Sequence, residues 1–161
     1  MWTCSGTSGA SWKRLLEDVQ QIVRVTTRRL LDAQGATFVL LEDDDCYYAD
    51  EDSISPLWKG QRFPASSCIG GWAMEHRQTV VIPDIRTDPR IPQEAYRPTF
   101  VRSMIVSPML GPEPLGALGA YWDRVRQPSD VEVRTLETLA GMAADALARF
   151  PEGLPDPGFH L

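Results

Sequence analysis

The side chains best equipped for chemistry lie between residues 63 and 122. Cys68 stands just before Ile69, Gly70, Gly71 and Trp72, a glycine-rich helix start. Free N–H groups at such a start favour anions and lower a neighbouring thiol pKa. A redox-sensitive or alkylatable Cys68 is one reading; a buried, inert thiol is the plainer one, and Cys46, beside Tyr47 and Tyr48, reads the same way. His76 follows Cys68 by eight residues, roughly 12 Å of helical rise, so no cysteine–histidine dyad forms within that element.

Downstream, Pro83 to Arg102 is a 20-residue segment holding four prolines, four arginines, two aspartates, Tyr96 and Phe100. A segment this long and this aromatic is expected to be an ordered cover over a sheet. Asp84, Asp88, Arg90, Arg97 and Arg102 can hold a charged group, because guanidinium forks match carboxylate and phosphate. Asp88-Pro89-Arg90 is also a natural turn, and pairing within the loop is the stronger reading there. Arg102 and Ser103, adjoining an apolar strand, are the better ligand candidates. Trp72, Tyr96, Phe100 and Met104 can clamp a planar ligand by stacking, or they can be core. The candidate pocket is therefore Trp72, Asp84, Tyr96, Phe100, Arg102, Ser103 and Met104, with Cys68 as a separate redox candidate and no catalytic set.

Other chemistries are poorly supplied. The acidic run Glu42 to Asp45, with Asp50 to Asp52, lacks the regular spacing of a calcium loop and reads as a solvated turn. Only His76 and His160 are histidines, so no imidazole metal set is expected. Cys4, Cys46 and Cys68, separated by 42 and 22 residues, fit neither a zinc nor a disulfide spacing, and a reducing cytoplasm is the simplest home.

These residues need a scaffold, and the 161-residue chain is long enough for one domain with a sizeable core. Its net charge of −6 repels phosphate backbones and anionic lipid, so neither nucleic acid nor membrane is an expected partner. Apolar runs fall far short of the roughly 20 residues of a membrane span. The N-terminus has none of the pattern of a signal peptide.

Apolar residues from Trp12 to Leu31 recur at helical spacing and predict a helix over about residues 12 to 33, stopped by Gly35. Ala36 to Leu41 and Cys46 to Ala49 read as a hairpin, Asp50 to Pro56 as a turn and Trp58 to Phe63 as an edge strand. Strands follow at Thr79 to Ile82, Ser103 to Leu110 and Pro114 to Trp122. Ser129 and Glu132 spell a capping box for a last helix reaching about Arg149. The order is α+β: a mostly antiparallel sheet of about six strands, both terminal helices on one face and a loop-covered pocket on the other. Residues 1–11 and 150–161 are expected to be flexible tails around a domain at 12–149.

The run from Phe63 through Ser67-Cys-Ile-Gly-Gly-Trp72 to Ile85, then Asp88-Pro-Arg, Arg102-Ser-Met-Ile-Val-Ser-Pro108 and Leu115-Gly-Ala-Leu-Gly119, resembles GAF domains. The likeness is strongest to those of bacterial sensor histidine kinases and phytochrome-related receptors. It implies a GAF/PAS-like fold and a small-molecule cavity, which in the family holds cyclic nucleotides, bilins, haem or nothing known. Bilin-binding relatives attach the chromophore through a loop cysteine commonly followed by histidine. Ile91 to Ala95 has neither, so covalent attachment there is disfavoured and the cofactor is left open. The reductases of free methionine sulfoxide rely on loop cysteines that Pro83 to Arg102 also lacks.

The function expected is a cytoplasmic, non-enzymatic regulatory domain of two-component type that senses an unidentified small molecule. It would signal through terminal helices paired in a homodimer, by way of Leu15, Val19, Ile22, Leu136, Leu139 and Ala143, to a histidine kinase or other output partner. A ligand-free scaffold and a Cys68-based redox sensor or enzyme are the alternatives.

Overall fold

A computed structural model describes residues 9–149, with side chains from Lys13 onward. Cys4, His160 and nearly all of the two expected tails lie outside those residues. Helix α1, Gly9–Leu30, buries Leu16, Val23 and Thr27 along one stripe. It starts a few residues earlier than the period predicts, and Asp32 at φ 48° turns the chain beyond its end. Gly35, the expected stop, is already the first residue of the next strand.

Strands β1, Gly35–Glu42, and β2, Asp45–Ser53, form the expected hairpin. Its second arm is longer than the sequence suggests. Polar Asp50 to Ser53 continue the strand because the start of β1 offers them partners, Gly35 facing Ser53 and Thr37 facing Glu51. A bulge between Phe38 and Val39 absorbs the change of register. The edge strand β3 is only Arg62–Pro64, and Trp58, expected within it, sits in the preceding loop.

Helix α2, Ile69–His76, follows, then β4, Val80–Ile82, the one-turn helix α3, Gln93–Tyr96, and the hairpin of β5, Ser103–Leu110, and β6, Pro114–Trp122. The strands order as β3-β2-β1-β6-β5-β4, every pair antiparallel. Helix α4, Asp130–Leu147, closes the fold. Its capping box is formed as predicted: Ser129 Oγ accepts from the Glu132 N–H at 3.1 Å and Glu132 accepts from the Ser129 N–H at 2.8 Å.

Because β1, β6 and β5 are central, side chains of both parities are buried. Ile105, Met109, Leu118, Ala120 and Trp122 face α1 and α4, while Met104, Val106, Ala117 and Tyr121 face α2 and the long loop. Each large side chain among them contributes about 1.5–3 kcal/mol by leaving water. The sheet is thus a wall between two cores, and the terminal helices share one of them as predicted.

Candidate functional site

The cover over the second core is ordered by its own polar residues. Asp84 caps a turn of 3₁₀ helix, Ile85–Thr87, accepting from the Arg86 N–H at 3.0 Å. The amide of Gln93 donates to the Ile85 carbonyl at 2.8 Å, tying α3 to that turn. Asp88 and Arg90 form a two-pronged pair at 2.6 and 3.0 Å, and Arg90 holds the Asp88 carboxyl below the usual carboxylate range. Ile85, Ile91, Tyr96 and Val101 then point inward and are buried. Arg90 lies 4.5 Å over the Trp72 ring, which itself stacks on His76 at 3.9 Å. This stack latches the loop to α2.

Beneath the cover the space is filled by aromatic rings. Trp58 packs on Tyr96, Tyr48 and Tyr121 at 4.7, 5.4 and 5.5 Å, and Tyr48 meets Phe63 at 5.5 Å. The Trp58 indole N–H donates to the Ala95 carbonyl at 3.0 Å, joining the loop before β3 to α3. Glu51 fixes that loop from the other side, accepting from the N–H groups of Leu57, Trp58 and Lys59 at 2.9, 2.9 and 2.8 Å. Gly119 leaves room for Tyr121 to reach Thr37, hydroxyl to hydroxyl at 2.9 Å; a Cβ there would collide with both oxygens. Burial pushes the Tyr48, Tyr96 and Tyr121 hydroxyls well up, so all three stay neutral.

At the edge of this cluster a groove of about 300 Å³ opens between α3 and the loop before β3, lined by Leu57, Trp58, Phe63, Glu94, Ala95 and Pro98 among others. Trp58 and Phe63 give it aromatic surface, and Glu94 is the charged group of its lining. That composition suits a small, flat, mainly apolar molecule.

The structure brings only some of the expected residues to this region. Tyr96 and Met104 belong to the core beneath the cover, and Tyr96 touches Trp58 directly. Phe100 packs its ring edge on Gly35, where a Cβ would come within 2.9 Å of it. Trp72 is in the Arg90–His76 stack, away from the groove, and Asp84 is a turn cap. Ser103 is fully buried and donates to the Arg124 carbonyl at 2.8 Å. Arg102 stands just before β5, its N–H donating to the Trp122 carbonyl at 2.8 Å and its carbonyl accepting from the Ile85 N–H at 2.9 Å, and its buried Nε has no hydrogen-bond partner among the described residues. Cys68 is buried at the N-cap of α2. Part of the acidic cluster is taken up in pairing, Glu42 with Arg62, Asp50 with Arg24 and Lys59, and Asp52 with Arg28.

Sequence reasoning missed Trp58, Tyr48, Tyr121 and Glu51. The alternation of Cys46 and Tyr48 in β2 and of Ala117 and Tyr121 in β6 carries the signal for the two tyrosines. Trp58 sits in a loop without period, and its role rests on tertiary contacts alone.

The family profile of the GAF domain matches residues 14–148. No curated protein sequence matches the chain. Among solved structures, it is similar to the cyanobacteriochrome receptor PixJ, at 20% identity and a TM-score of 0.76 over 86% of this chain and 98% of that one. It is also similar to the GAF-B domain of DevS from Mycobacterium smegmatis, at 16% identity and 0.67 over 81% and 91%. A third likeness is to the free methionine-R-sulfoxide reductase of Neisseria meningitidis in complex with its substrate, at 19% identity and 0.66 over 91% and 94%. The chain belongs to the GAF domain family.

Proposed function

We propose that this GAF domain is a regulatory sensor in bacterial signal transduction that takes a small, flat molecule in the groove beside α3. The single observation that carries this is the groove's construction, aromatic walls from Trp58 and Phe63 on one side and the ordered cover on the other. The likeness of fold to the receptor PixJ supports a sensory role, while its likeness to a reductase supports no particular chemistry here. Entry of a ligand would displace Trp58 from Tyr96 and Tyr121. Tyr121 shares β6 with Trp122 and Leu118, which bear on α1 and α4, so the sheet would carry the change to the terminal helices. A binding rather than a catalytic role follows, with a histidine kinase or another output partner acting downstream.

The second reading, a scaffold without ligand, draws on the same rings, because Trp58 and Tyr96 already fill the centre. Thermal unfolding with biliverdin, cyclic GMP and methionine sulfoxide as probes separates the two. A sensor gains stability with at least one probe in proportion to ln(1 + [L]/Kd), and Ala95→Trp, which fills the groove, removes that gain. Melting curves unchanged by every probe in the native chain favour the scaffold.

A further inference from the structure

The two described cysteines, 22 residues apart in sequence, meet where β2 faces the start of α2. Cys46 points inward from β2 and is fully buried, whereas Cys68 retains 8% of its surface. Their Sγ atoms stand 2.8 Å apart; a bonded pair stands about 2.05 Å apart, so closure requires under about 1 Å of travel. Gly70 packs here without a Cβ, close to Cys46 Sγ and Ala117, which seats α2 tightly on the sheet.

The pair is also polarised. The two thiols share one hydrogen bond between their Sγ atoms, and the Gly71 N–H donates to Cys68 Sγ at 3.3 Å. The bond with Cys46 and the Gly71 N–H hold the Cys68 thiol below its ordinary range, while the bond with Cys68 and burial push Cys46 up. Ala65, Ser66 and Gly71, near Cys68 in sequence, line a second, open groove of about 450 Å³ together with Asp44, Asp45 and Glu75, and Cys68 lies behind that lining rather than in it. Cys68, the less buried of the two, thus has a second thiol directly beside it.

We infer that Cys68 and Cys46 are a peroxide-reactive dithiol that closes to a reversible disulfide between the start of α2 and β2. In the first step the Cys68 thiolate attacks hydrogen peroxide: an S–O bond forms, the O–O bond breaks, and the departing hydroxide takes up a proton to become water. In the second, Cys46 loses its proton and attacks Cys68 Sγ. The S–S bond forms, the S–O bond breaks, and hydroxide leaves with that proton as a second water. Both thiols are oxidised and one peroxide is reduced. The ring so closed carries Trp58 and Phe63, and oxidation would restrain one wall of the groove beside α3. The dithiol chemistry itself does not depend on that groove binding anything.

The test treats the whole native chain with hydrogen peroxide, followed by intact mass and a non-reducing peptide map that distinguishes Cys4 from the pair. The expected result is loss of two hydrogens, a linked Cys46–Cys68 peptide, and a melting point raised by several degrees that dithiothreitol reverses. In Cys46→Ala the same treatment should leave an oxygen adduct on Cys68 that dimedone traps. Thiols that both stay alkylatable after unfolding, or Cys68 driven to the sulfinate in the native chain with no link to Cys46, overturn the inference.

Discussion

Asp88 shows how a residue readable in two ways is resolved by its neighbours. As a ligand group it would face a pocket; in the structure both its oxygens are taken by Arg90, whose guanidinium then lies on Trp72. Its pKa is lowered on folding, so the pair's stabilisation is complete above the unfolded value of about 3.9 and fades as pH falls through the folded one. Asp88→Asn should therefore lower the melting point at pH 7, through a loss of about 0.5–1 kcal/mol of stability for a partly exposed pair. Its melting curve and that of the native chain should converge once the pH has fallen through that lowered folded value, which a pH series of thermal melts checks. The turn sequence made the Asp88–Arg90 pairing legible, and Tyr96 as an inward residue likewise. Trp72 was legible only as apolar, because nothing in the sequence says that a guanidinium 18 residues on will cover it.

Helix starts decide much of the architecture, and two glycines show opposite demands. Gly71 lies against the carbonyl of Ala65, where a Cβ would collide with backbone, while Gly141 in α4 has open space around it. Gly71→Ala should cost about 1–3 kcal/mol by forcing the 3₁₀ turn off α2. Gly141→Ala should instead stabilise by about 0.5–1 kcal/mol through helix propensity. Denaturant titrations of the two variants measure both signs in one experiment. Elements with strong local signals were readable: the bounds of β5 and β6 and the capping box of α4 agree with the expectation. Where the signal was long-range it failed. The extension of β2 to Ser53 depends on partners in β1, and the shortening of β3 depends on Glu51 seizing three N–H groups of the loop before it.

Seen as one body, the domain has a sheet between a helical core and a covered aromatic core, and the expected homodimer bears on the first. Leu136, Leu139 and Ala143, expected to offer surface to a second copy, are buried in the chain's own core and cannot do so. Helical period alone does not say which neighbour a stripe meets. Leu15 at 51% exposure and Ile22 at 66%, one heptad apart on α1, remain available. If two copies pair through α1, Ile22→Glu should leave the monomer's stability within about 0.5 kcal/mol and shift sedimentation velocity from dimer to monomer. An unchanged sedimentation coefficient would remove α1 from the interface.

Small-molecule sensing by this domain rests on the groove beside α3. Native mass spectrometry of the chain isolated from its own cells tests this most directly. It should show one non-covalently held small molecule per chain, released on denaturation and missing from Ala95→Trp; a bare polypeptide mass for the folded native chain would contradict it.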